Sequence, residues 1–81
     1  MTKQELIEKV NSVLAEEFEK EVEELTPDAN IKQTLELDSL SLVDMVALID
    51  EEFGVKIASS ELVKIQTFQA LYDYLEEHMA A

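Results

Sequence analysis

Apolar residues recur at helical spacing in three stretches of the chain. Residues 3–18 carry Leu6, Ile7, Val10, Val13, Leu14 and Phe18, which fall on one face of a helix. Glu5, Glu8, Lys9, Glu16 and Glu17 fill the other face. Thr2 stands as N-cap candidate, and Glu5 three places on completes a capping box. Residues 39–53, SLSLVDMVALIDEEF, predict a second helix, stopped by Gly54 in the C-terminal cap position. TFQALYDYLEEHM predicts the last helix, with Thr67 as cap and Phe68, Leu71, Tyr72 and Leu75 on one face. Between these two helices VKI reads as a short extended connector. SSELVKI then offers Ser59 or Ser60 as cap of a short helix.

Residues 19–38 break the pattern. EKEVEEL is acidic, and TPDAN reads as a turn or a single helical turn begun by Thr26. A connection of about twenty residues is long for a small domain. Ile31, Leu35 and Leu37 are isolated apolar anchors within it, which predicts an ordered loop packed back on the helices. The expected fold is therefore all-α: a small four-helix bundle of three long helices and one short, with a long loop between the first and second helices. One glycine and one proline in 81 residues support helices over turn-linked strands. The length predicts a single domain over 1–81 with a small core.

The helix after Asp38 has two apolar stripes. Leu42, Met45, Val46, Ile49 and Phe53 follow core spacing. Leu40, Val43 and Ala47 form a second stripe, flanked by Asp38, Asp44, Asp50 and Glu51. Either the helix is central and buried on more than half its circumference, or the second stripe is an exposed strip rimmed by acids, the composition of a partner site.

Charge narrows the partners. Six basic residues face 19 acidic ones, a formal net charge of −13. Nucleic acid is disfavoured, because phosphate binding needs clustered Lys and Arg, and so is an anionic membrane surface. Basic protein surfaces are favoured, with encounter sped by opposite charge. No apolar run nears the ~20 residues that span a bilayer, so stable membrane insertion is not expected. MTKQELIEKV has no long apolar core of the signal-peptide kind. The lack of cysteine removes disulfides, zinc–thiolate sites and thiol catalysis, and fits a reducing compartment such as the cytoplasm.

Catalytic constellations are thin. The one histidine, His78, falls in the last turn, where an imidazole suits the negative helix end. A calcium loop of the EF-hand type fails, since placing Gly54 at its glycine puts Ile49 at the first ligand position. A single glycine cannot build a Gly-rich phosphate loop. No metal site, no catalytic residue and no enzymatic activity of the chain alone are expected. Ser39 remains. As the residue opening a helix it is either a cap and nothing more, or the bearer of a phosphate stabilised by free N–H groups and the positive dipole end.

The segment LELDSLSLVDMVALIDEEFGVKI, residues 35–57, resembles the modification segment of an acyl carrier protein. The resemblance runs along nearly the whole chain, through SSELVKIQTFQALYDYLEEH. It implies 4'-phosphopantetheine, drawn from coenzyme A, on Ser39 through a phosphodiester, with Asp38 in the segment read by a phosphopantetheinyl transferase. It implies that Leu40, Val43, Asp44, Ala47, Asp50 and Glu51 meet partner enzymes: acyl transferases, ketosynthases, reductases and dehydratases with basic docking surfaces. Acyl groups would ride on the arm as thioesters, and the carrier would act as a monomer. Leu42, Val46, Phe53, Ile57 and Leu71 are the candidate lining of an acyl pocket. Three positions depart from carriers of fatty acid synthesis: Glu36 where glycine is frequent, Ser41 where an acid is frequent, and Ala58 where proline is frequent. Pathways of fatty acid, polyketide or aryl polyene assembly all stay open. The alternatives are a peptidyl or aminoacyl carrier, or an acidic helical adaptor that is never modified.

Overall fold

The structure, a computed structural model, describes residues 2–79, with the backbone alone at Ser59. Helix α1 spans Lys3–Glu17, α2 Ile31–Leu35, α3 Ser39–Phe53, α4 Ser59–Leu62 and α5 Phe68–Met79. The three long helices are those that apolar spacing predicts. The capping box also forms: the Thr2 hydroxyl accepts from Glu5 N–H at 3.1 Å, and the Glu5 carboxylate accepts from Thr2 N–H at 3.2 Å. Thr67 opens α5, its hydroxyl accepting from Ala70 N–H at 3.2 Å.

The core forms where three faces meet. Leu6, Val10 and Leu14 come from α1, Met45 and Ile49 from α3, and Phe68, Leu71, Tyr72 and Leu75 from α5. Helices α1 and α5 pack together and are also tied at the rim, where Lys3 ion-pairs with Asp73 at 2.7 Å and Glu76 at 3.3 Å. Tyr72 is fully buried, and its phenol donates to Asn11 on α1. Burial pushes that phenol's pKa up.

The long loop is ordered and contains a helix that spacing does not reveal. A 3-10 turn at Val22–Glu24 is followed by the five-residue α2, opened by Asn30, whose side chain accepts from Gln33 N–H at 3.0 Å. Five residues are too few to show a helical stripe. Leu25, Ile31 and Leu35 from this segment are all buried. Its backbone is pinned to the start of α5: Ile31 N–H donates to Gln66 O, Phe68 N–H to Ala29 O and Gln69 N–H to Pro27 O. The Cα radius of gyration of 11.4 Å matches the ~12 Å expected of a chain this long with nothing projecting.

Gly54 ends α3 at φ 68°, with its N–H on Asp50 O at 2.8 Å. A Cβ there would meet no atom, so the left-handed backbone and not crowding is what suits glycine. Lys9 of α1 closes the same end, donating to Glu52 O at 3.3 Å with its ammonium 5.1 Å from the Phe53 ring. At α4 the outcome differs from the expected cap. Ser59 and Ser60 lie inside the first turn, Ala58 O accepts from Glu61 and Leu62 N–H, and the side chain of Ser59 lies outside the described residues.

Candidate functional site

The start of α3 is organised by Asp38. Its extended backbone turns the chain into the helix, and its carboxylate accepts from Ser41 N–H at 2.8 Å. That amide holds the Asp38 carboxyl below its ordinary pKa of 3.8. Asp38 is therefore the N-cap, which corrects the expectation that Ser39 itself caps. Ser39 is the first helical residue, exposed, and among the described residues its hydroxyl has no hydrogen-bond partner. The capping function and the free hydroxyl are thus divided between neighbours. Ser41 supplies the capped amide, so the helix start is closed without an acid at that position.

The second stripe of α3 is exposed. Leu40 is 77% and Val43 64% exposed, and Ala47, Asp44 and Glu51 also face solvent, while Asp50 is half-buried. Ser39, Val43 and Ala47 are spaced four apart, so the stripe starts at the serine and runs about 12 Å along the helix. No basic residue stands on α3. The element therefore brings a free hydroxyl, an apolar strip and an acidic margin onto one side of a 15-residue helix.

A groove of about 370 Å³ lies between α2, α3 and α4. Ile31, Leu42, Leu62 and Ile65 supply apolar lining, and Asn30, Lys32 and Gln66 supply polar groups. Leu42 of the five pocket candidates borders it. Val46 and Phe53 are half-buried against the core, and Ile57 and Leu71 lie in the core itself. Ile31, Leu62 and Ile65 were not foreseen there. Only folding of the loop onto α3 and α4 brings them together. His78 is exposed at the end of α5 and stacks on Tyr74 with ring centres 4.1 Å apart.

The three unusual positions have structural consequences. Ser41 donates the capped amide, and Ala58 precedes α4, its carbonyl accepting from Glu61 and Leu62 N–H. Glu36, the residue after α2, adopts φ 54° and ψ 48°, a left-handed conformation that glycine accommodates more easily, and ion-pairs with Lys20.

The geometry suits attachment of a phosphodiester-linked arm. The hydroxyl is exposed, it is not consumed by capping, and it heads a helix long enough to present an oriented dipole end. Residues 8–75 match the family model described as "Phosphopantetheine attachment site". The chain is 35% identical to an acyl carrier protein of Rubrobacter xylanophilus over 81 residues, all of both chains. It is 39% identical to one of Petrotoga mobilis over 79 residues, 98% of this chain and 93% of that one. A solved structure of the acyl carrier protein from Enterococcus faecalis superposes with a TM-score of 0.78 at 34% identity, covering 95% of this chain and 98% of that one.

Proposed function

The chain belongs to the acyl carrier protein family, which bears 4'-phosphopantetheine, and from that premise we propose that Ser39 is the attachment residue and the exposed side of α3 the docking surface. The observation that carries this reading is the division of labour at the helix start. Asp38 takes the capping role and leaves the Ser39 hydroxyl exposed and unengaged. When attached, the arm supplies the thiol that this cysteine-free chain lacks, and acyl groups are carried on it as thioesters.

The residues of the chain do the rest by presentation. In attachment, the Ser39 oxygen forms a bond to the pantetheine-linked phosphorus of the coenzyme A pyrophosphate. The bond from that phosphorus to the bridging oxygen breaks, adenosine 3',5'-bisphosphate leaves with that oxygen, and the hydroxyl proton passes to the transferase or solvent. Asp38 holds the first turn of α3 so that the hydroxyl faces outward. Leu40, Val43 and Ala47 offer an apolar contact that a partner covers, and Asp44, Asp50 and Glu51 steer basic surfaces toward it. The chain itself makes and breaks no acyl bond. A carrier must leave each enzyme after each step, and a small apolar strip with an acidic rim suits fast, weak association. The groove bordered by Leu42, about one turn along α3 from Ser39, is where we place the near end of a sequestered acyl chain.

Intact mass tests the attachment residue. Incubation with coenzyme A, Mg2+ and a broad-specificity phosphopantetheinyl transferase adds one phosphopantetheinyl group to the wild type and none to Ser39→Ala. Because Asp38 and not Ser39 caps α3, the variant keeps its helix and its melting temperature. Addition at Ser12, Ser41, Ser59 or Ser60 in place of Ser39 would sink the assignment.

A further inference from the structure

Two glutamates close helices where glycine or asparagine is the usual residue. Glu19 follows the end of α1 at φ 56°, and Glu36 follows α2 at φ 54°. Each sits inside a wrapped helix end. Lys20 N–H reaches back to Ala15 O at 2.8 Å, and Leu37 N–H reaches back to Lys32 O at 3.0 Å. A side chain with a Cβ is disfavoured in this left-handed region, and such residues persist when their surroundings hold them. A holding contact exists at Glu36. Lys20, the residue after Glu19, forms an ion pair with the Glu36 carboxylate, so one side-chain bond ties the two closures across sixteen residues of loop. The Lys20 side chain is 22% exposed and that of Glu36 74%, so the Lys20 stem packs against the protein while the ion pair itself faces solvent.

The location matters. Glu36 is separated from the cap Asp38 by Leu37 alone, and Ser39 follows at once. The earlier part of the loop is fastened to the start of α5 by backbone hydrogen bonds from Ile31, Phe68 and Gln69. The turn at 36–38 lies beyond those bonds and sets the direction in which the chain enters α3. We propose that Lys20 and Glu36 are a positioning pair for the modification site: their ion pair holds the left-handed turn that presents Ser39. The proposal rests on Ser39 being the attachment residue. It assigns Glu36 a conformational role, filled by its bond to Lys20, at a position where glycine would need no such bond.

Charge makes the test sharp. Lys20→Met leaves the chain one unit more negative than −13. By steering alone, a more acidic carrier meets a basic transferase at least as readily, so KM for the carrier should not rise. The positioning role predicts the reverse: KM rises roughly threefold, the scale of a lost surface ion pair, with kcat unchanged. Glu36→Ala loses the bond and keeps the Cβ, and raises KM at least as much. Lys20→Arg keeps the wild-type KM. The double variant Lys20→Met with Glu36→Gly restores it, because glycine holds the turn unaided. Amide NMR signals of Leu40 and Ser41 should shift or broaden in Lys20→Met and return in the double variant. The proposal is overturned if Lys20→Met and Glu36→Ala keep both the wild-type KM and the wild-type Leu40 and Ser41 signals. It is overturned equally if Glu36→Gly fails to rescue Lys20→Met. Ser39→Ala run beside them keeps the two readings apart. Modification of Ser39→Ala refutes the attachment residue, whereas unaltered kinetics in the pair variants, with Ser39→Ala inert, refute only the positioning pair.

Discussion

On one side of α3, Met45 and Ile49 are 1% and 0% exposed; on the other, Leu40 and Val43 are 77% and 64% exposed. The residue types are alike and the helix is the same, so composition does not separate the two faces. The neighbours do. Helices α1 and α5 and the buried anchors of the loop close over Met45 and Ile49, and among the described residues nothing covers Leu40, Val43 and Ala47. A bundle of this size has surface enough to cover one side of its central helix. Apolar surface left in water costs free energy, and here it is rimmed by acids and begins at an unengaged serine. The buried face accounts for the fold, and the exposed face is the one we propose the carrier offers its enzymes.

The hardest test of this contrast is Ile49→Ala. Removing a fully buried branched side chain should cost about 2–5 kcal/mol. A small domain has on the order of 5 kcal/mol in total, so the variant should be largely unfolded near 37 °C. Circular dichroism melts would show it, and a melt within a few degrees of wild type would break the core assignment.

Val43→Asp should invert that result. An exposed substitution breaks no core contact, so the melt should stay within ~1 kcal/mol of wild type. Use of the carrier by the transferase or by acyl-handling enzymes should nonetheless fall about tenfold, because a charge replaces an apolar contact. If Val43→Asp unfolds the chain as Ile49→Ala does, the two faces are not different in kind.

A milder change on the exposed side is Asp44→Lys. It should fold normally and slow association with a basic partner a few-fold at low salt. The deficit should shrink at high ionic strength, where screening removes the steering that the wild type enjoys. A deficit equal at all salt concentrations would mean that Asp44 acts by direct contact.

The smallest effect belongs to the head of the exposed face. The carboxyl of Asp38 is held below 3.8, chiefly by Ser41 N–H. A depressed carboxyl pKa adds stability that is present above the unfolded-state value and is lost as pH falls through the folded one. Asp38→Asn preserves an acceptor for the same amide but cannot titrate. The stability difference between wild type and Asp38→Asn should therefore hold near neutral pH and vanish on acidification below 3.8. A difference that persists in acid would show that the charge of Asp38 plays no part in the cap.

Much of this was legible in the residues. The stripe of Leu6, Val10 and Leu14 and that of Phe68, Leu71, Tyr72 and Leu75 follow helical spacing and are buried. Thr2, Thr67 and Gly54 punctuate the chain where expected, because capping depends on local backbone geometry and side-chain type. Ser39 was legible as a residue of interest from DSL before a long apolar helix. Its freedom from capping was not, since Asp38 and Ser39 are both good caps and the choice between them turns on which one takes the extended backbone.

Period and caps are local properties, so the residues alone specify the three long helices, the stop of α3 at Gly54 and the two apolar stripes on α3. Which stripe is buried depends on long-range packing. It also decided that Leu25, Ile31 and Leu35 fill the core from a loop, and that Ile31, Leu42, Leu62 and Ile65 meet around one groove. It alone brought Lys20 to Glu36 across the loop. These are contacts between residues far apart in the chain, and they depend on how the loop is fastened to α5, which no short-range pattern encodes.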